Sequence, residues 1–233
     1  MQAIFFDMDG TLLPMDVDGF MKRYFKGLCG VLCPLGVAPD KLVETVWAGT
    51  KAMVKNDGTM TNDARFWQVF QQLTGMDPAP FVPVADAFYS EGFHETKAAT
   101  GENPLAVEAV RLAREKADTV VLATNPLFPM PGQLTRMGFV GLKPEDFDHV
   151  TSYENSRFCK PNPEYYLQLC RDFNLDPAQC LMIGNDERED VYAASQAGMQ
   201  GYLVTDGLIP CAEHPWAGPR GTFAELIEYL KAL

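Results

Sequence analysis

The chain has 233 residues, 47% of them apolar and 21% charged, with a formal net charge of -12. That length and balance suit a globular α/β protein with one sizeable core, or a core plus a smaller second domain. The negative charge, with no basic run, argues against a nucleic-acid or anionic-membrane surface, since both need clustered Lys and Arg. No stretch reaches the roughly 18 apolar residues of a membrane span, and Asp7 interrupts the first apolar run too early for a secretory signal. The expected location is therefore the cytoplasm.

In chain order, the apolar run at residues 3–6 predicts a strand that ends at Asp7-Met8-Asp9-Gly10-Thr11. Asp-Gly is a common turn pair, so this segment alone is equally readable as a polar turn. From about residue 15 to 94 the pattern is helical throughout, with segments at 18–29, 39–55, 62–74 and 83–94 separated by turn-rich pieces. Cys29 and Cys33 fall here, but they have no second ligand pair. With Cys159, Cys170, Cys180 and Cys211 they read as reduced thiols rather than a zinc site or disulfide framework. His94, His149 and His214 form no spaced ligand or triad pattern.

Beyond residue 102 helices and strands alternate. Helices are predicted at 104–117, 131–137, 163–173, 187–197 and 222–233, and strands at 119–123, 149–152, 180–183 and 202–204. The proline-rich piece at 209–219 reads as a surface loop. Alternation of this kind implies a Rossmann-like α/β fold, a largely parallel sheet with helices on both faces, and ligands at the carboxyl ends of its strands. The expected division is a core of residues 1–14 and 95–233, with an α-helical cap inserted at 15–94.

Polar residues follow each predicted core strand: Asp7 and Asp9, then Thr124-Asn125, then Lys160, then Gly184-Asn185-Asp186 with Asp190 close behind. Each has an ordinary explanation, such as a helix cap or a solvated charge. Their order places acids, a hydroxyl and a lysine on one sheet edge.

With the motifs FFDMDGTLL, LATN, the lysine of FCKPNPEYY and IGNDERED, the chain resembles the haloacid dehalogenase-like hydrolase superfamily, the aspartate-nucleophile phosphatases. The resemblance implies a Mg²⁺-dependent hydrolase of small phosphate monoesters acting through an aspartyl-phosphate. Asp7 would be the nucleophile and Asp9 the general acid and base. Met8, Gly10, Thr11, Thr124, Asn125 and Lys160 would surround the phosphoryl group. Mg²⁺ would be held by Asp7, the Asp9 carbonyl and Asp186, supported by Asp190. Many relatives have Gly-Asp where this chain has Gly184-Asn185, so Asn185 remains open as a ligand through its amide oxygen.

The short separation of Asn125 and Lys160 puts the cap after the first motif. Lys51, Arg65, Trp47 and Trp67 are its candidate substrate contacts, the tryptophans also fitting the cap's own core. Haloacid dehalogenases lack the second aspartate, so Asp9 favours phosphoryl chemistry. A sugar phosphomutase, a phosphonate hydrolase using Lys51 or Lys55, and a catalytically silent metal-binding interaction protein stay open. The expected partner is a small phosphorylated metabolite, with the chain a monomer or homodimer.

Overall fold

A computed structural model describes residues 1–233. Six parallel strands form one sheet in the order β3-β2-β1-β4-β5-β6. They are β1 (Ala3–Phe6), β2 (Thr119–Leu122), β3 (His149–Val150), β4 (Cys180–Gly184), β5 (Gln200–Val204) and β6 (Arg220–Gly221). Strand β1 lies in the interior of the sheet and is buried on both faces, so its four apolar residues need no alternation with polar ones. Ile4 and Phe6 pack on one side against α5 (Ala106–Lys116), α6 (Met130–Phe139) and α9 (Phe223–Ala232). Ala3 and Phe5 pack on the other against α7 (Pro163–Asp172) and α8 (Ala193–Gln196). Burying a side chain such as Ile4 or Phe5 contributes about 1.5–3 kcal/mol, so the strand that carries Asp7 is among the best anchored in the molecule.

Three elements differ from expectation. β3 ends at Val150, where the Thr151 N–H still donates to Leu122 O at 3.0 Å and its hydroxyl turns onto the Leu122 and Thr124 carbonyls at 3.1 and 2.8 Å. The predicted helix at 187–197 is a π-helical turn, Glu187–Tyr192, running into α8. The loop at 209–219 leads into β6, an Arg-Gly edge strand whose composition carries no strand signal.

The segment after the first motif forms α1 (Val17–Leu32), α2 (Pro39–Val54), α3 (Asn62–Thr74), α4 (Val82–Ser90) and a 3₁₀ segment, Gly92–Ala99. Their apolar faces share a separate core that includes Phe20, Tyr24, Phe70, Phe88 and Phe93. The chain leaves and re-enters the sheet through adjacent extended pieces: Asp16 N–H donates to Ala99 O (2.9 Å) and Gly101 N–H to Pro14 O (2.8 Å). The helices are also tied down at their far side. Asn62 N–H donates to Ser156 O (2.8 Å), Asp63 N–H to Tyr153 O (3.0 Å), and Phe128, from the loop after β2, packs 5.6 Å from Tyr24 and 5.7 Å from Phe93. No helix is long and apolar enough to cross a membrane.

Candidate active site

The ladder holds Asp7 one residue past β1, where its N–H donates to Ile183 O at 2.9 Å. The chain then reverses: Gly10 takes a φ of +89°, and Leu13 N–H closes onto Met8 O at 2.8 Å. A Cβ on Gly10 would stand 2.4 Å from Asn185 Nδ2, so glycine serves both the turn and the close approach of the β4 loop. The Met8 side chain is wholly buried in the core, leaving only its backbone near the site.

Lys160 is the hub. Its ammonium, 1% exposed, donates to Asp7 Oδ1 at 2.8 Å and to Asp190 Oδ1 at 2.6 Å. Burial alone would lower its pKa, but Asp190 and Asp7 outweigh it and hold the lysine well above its ordinary value. Burial, with Asp7 adding repulsion, pushes Asp190 up to about 7 against the pull of Lys160. Two carboxyl groups share this one cation at the strand ends.

Thr124 is buried, and its carbonyl accepts from the Thr151 hydroxyl (2.8 Å) and the Tyr165 hydroxyl (2.9 Å), which fixes its backbone at the end of β2. Asn125 Nδ2 donates to Glu189 Oε2 at 2.9 Å, while its buried Oδ1 has no partner. The Thr11 hydroxyl lies 3.3 Å from Asp7 Oδ2 and 2.9 Å from Asn185 Oδ1. Asn185 Nδ2 donates to Gly207 O at 2.7 Å, so its amide oxygen is the atom turned toward Thr11 and Asp7.

Asp186 does not share that position. Its Oδ1 accepts the N–H groups of Arg188 and Glu189, each at 2.8 Å, and so caps the helical turn that follows. The cap engages one oxygen of Asp186, and the Asn185 amide oxygen accepts from the Thr11 hydroxyl at 2.9 Å, so both side chains carry an oxygen at this edge that a cation could use. Asp190 sits behind both, its Oδ2 accepting from Asp186 N–H at 3.0 Å.

Arg136 on α6 has no counterpart in the expected site. Its wholly buried guanidinium pairs with Asp9 Oδ2 and with Gln133 Oε1, one turn earlier. The available signal was Gln133 and Arg136 at i, i+3 on the helix that follows the loop after β2. Asp9 keeps 31% of its side chain open, yet the carboxyl lies deep enough that burial raises its pKa despite Arg136.

Asp9 borders a cleft of about 620 Å³ together with Gly10, Thr11, Asn185, Glu102 and Asp206. None of Trp47, Lys51, Arg65 or Trp67 lines it. Trp67 borders a smaller apolar hollow with Tyr24, Tyr89 and Tyr153, Arg65 pairs with Asp57 at 3.0 Å, and Trp47 and Lys51 are exposed.

The sequence profile of the haloacid dehalogenase-like hydrolases matches residues 1–198. The chain is 27% identical over 231 residues to the N-acetylmuramic acid 6-phosphate phosphatase of Pseudomonas putida, covering 97% of this chain and 91% of that protein. To the glyceraldehyde 3-phosphate phosphatase of Methanopyrus kandleri it is 24% identical over 200 residues, covering 85% and 81%. Among solved structures, the 2-haloacid dehalogenase of Pseudomonas syringae superposes with a TM-score of 0.64 at 18% identity, over 100% of this chain and 98% of that one, which speaks to the fold. With a profile match from the first residue through the β4 loop, and an acidic strand edge to go with it, the chain belongs to the haloacid dehalogenase-like hydrolases.

Proposed function

We propose that the protein is a Mg²⁺-dependent phosphatase of small phosphate monoesters, working in the cytoplasm through an aspartyl-phosphate. One observation carries this reading: Asp7, clamped by Lys160, and Asp9, raised by burial, stand side by side at the end of β1. An Asp7 carboxylate oxygen attacks phosphorus while the bond to the ester oxygen breaks, and Asp9 gives that oxygen its proton. Asp9 then takes a proton from water, whose oxygen attacks phosphorus, freeing Asp7 and releasing orthophosphate. Thr11, Thr124, Asn125 and Lys160 surround the phosphoryl oxygens as their charge grows. The cleft volume suits a metabolite-sized substrate, like those in the names of the two phosphatases above. Helices α1–α4 act as a cap over this edge.

Asp7, Asn185 and the Asp9 carbonyl supply only hard oxygen donors, a set that fits Mg²⁺ and not zinc. Bound there, the ion neutralises phosphoryl charge. Asn185→Ala should weaken Mg²⁺ affinity by at least about 10-fold, read by titrating Mg²⁺ against thermal stability. Asp186→Ala should cost about 1 kcal/mol of stability as a lost cap and move Mg²⁺ affinity less. A larger affinity loss in Asp186→Ala would return the ligand role to that residue.

The overall reading is tested with p-nitrophenyl phosphate. Phosphate release that needs Mg²⁺ and stops with EDTA is the expected result. Absence of release from this and a panel of small phosphate esters would remove the phosphatase reading.

A further inference from the structure

Helix α3 begins without a side-chain cap of its own. Thr61, the residue before it, makes no side-chain bond to a backbone N–H of the first turn, and the orphan N–H groups of Asn62 and Asp63 go to the Ser156 and Tyr153 carbonyls instead. Both carbonyls belong to the loop that leads from β3 to Lys160. The Asn62 side chain is wholly buried at this junction. Its Oδ1 accepts from Asn56 Nδ2 at 2.9 Å, and Asn56, also buried, is fixed by a second bond to Met60 O at 2.9 Å. That contact sets which way the Asn62 amide points. Nδ2 is left facing the sheet domain, where its two hydrogens are shared among Pro126 O (3.4 Å), Phe158 O (3.4 Å) and Cys159 Sγ (3.3 Å).

Pro126 follows Thr124-Asn125, and Phe158-Cys159 lead directly into Lys160. One buried amide from the helical segment therefore touches both loops that carry phosphoryl-binding groups. Asn125 Nδ2, 3.4 Å from Lys160 O, adds a second tie between them. An apolar side chain at position 62 could fill the same space, but it would offer neither loop carbonyl a donor.

We propose that Asn62 is a positioning residue for the phosphoryl site: oriented by Asn56, it fixes the spacing of the Thr124-Asn125 loop and the Lys160 loop, so that the site is complete only while the N-terminus of α3 is seated on them. This rests on the phosphatase reading above. Buried behind the loops, Asn62 acts through their backbones and not on the substrate. Without it Lys160 keeps its bonds to Asp7 and Asp190, so the ammonium stays paired. What is lost is the register between that ammonium and the groups after β2, and a misplacement of about 1 Å can cost about 10²-fold in rate.

The test compares Asn62→Ala with Phe70→Leu, a change in the shared core of α1–α4. Both variants should melt earlier than the wild type. Assayed below both melting temperatures with p-nitrophenyl phosphate and Mg²⁺, Asn62→Ala should lose about 10- to 100-fold in kcat. It should also bind orthophosphate, measured as a competitive inhibitor, about 10-fold more weakly. Phe70→Leu should keep both values within about 2-fold of wild type. Asn56→Ala, which only unties the amide, should fall between the two. Asn62→Ala values within about 2-fold of wild type, or equal losses in Phe70→Leu, overturn the proposal.

Hydrogen exchange on the wild-type protein needs no variant to fold. Orthophosphate with Mg²⁺ should slow exchange at the Asn62 and Asp63 amides by at least about 3-fold more than at the Ala85 amide of α4, because a ligand held by the loops and a seated α3 must favour each other reciprocally. Equal slowing at all three amides, or none, overturns the positioning role. Wild-type release of p-nitrophenol with unaltered Asn62→Ala kinetics removes that role only. No release from any ester by the wild type removes the phosphatase reading on which it rests.

Discussion

Asp7→Asn should lower kcat on p-nitrophenyl phosphate by about 10⁴-fold or more, the scale on which removing a nucleophile acts, and yet leave a well-folded protein. The fold survives because Lys160 keeps Asp190 at 2.6 Å after its bond to Asp7 is weakened. Stability should even rise, in a pH-dependent way. In the wild-type protein Asp190 is held at about 7, by burial first and by Asp7 next, against an ordinary 3.8. The unfolded chain therefore ionises Asp190 first as pH rises. The stability tied to its protonated form is complete below about pH 4 and is lost as pH climbs to about 7. Without the Asp7 charge, folded Asp190 ionises more easily and the decline is shallower. Melting temperatures in EDTA should thus favour Asp7→Asn increasingly between pH 4 and 8. A gap that stays constant with pH would refute this charge account, and activity above a tenth of wild type would remove Asp7 as nucleophile.

The second large effect belongs to Lys160→Ala. It leaves two buried carboxylates without their shared cation, and breaking a buried pair in this way costs about 3–5 kcal/mol. For a chain of this size that is a fall in melting temperature of about 10 °C. Activity should drop as well, since the ammonium stands beside the attacking oxygen. The double variant Lys160→Met with Asp190→Asn removes one of the two stranded carboxylates as well as the lysine. It should regain at least about half of the lost stability and none of the activity. A double variant no more stable than the single one would show that the lysine stem, not its charge, supports the fold.

The alternation of apolar runs and helical stretches made the sheet legible, and polar residues after the apolar runs, acidic after the first and neutral Thr124-Asn125 after the second, made its functional edge legible. Asp7, Thr11, Lys160 and Asp190 come together because all of them follow strands of one parallel sheet. What escaped depends on rotamers and hydrogen bonds that spacing does not encode. Asn185 and Asp186 are adjacent with similar side chains, and only the helix that follows decides which one becomes its cap. Arg136 is one more basic residue near a helix end until the fold packs it against Phe128 and Asp9. Strand β6 exists because its neighbour β5 offers an open edge, a reason that lies outside its own two residues.

The position of β1 also carries a cost during synthesis. Strand β1 leaves the ribosome before both of its partners, residues 119–122 on one side and 180–183 on the other. At roughly 5–20 residues per second, its second partner emerges on the order of ten to thirty seconds later. Until residues 119–122 emerge Ala-Ile-Phe-Phe is an unpaired apolar strand with both edges open, and one edge stays open until residues 180–183 follow, while helices α1–α4 are already able to form. The segment that will hold the nucleophile is thus the one the nascent chain must shield longest, by transient contacts or by a chaperone.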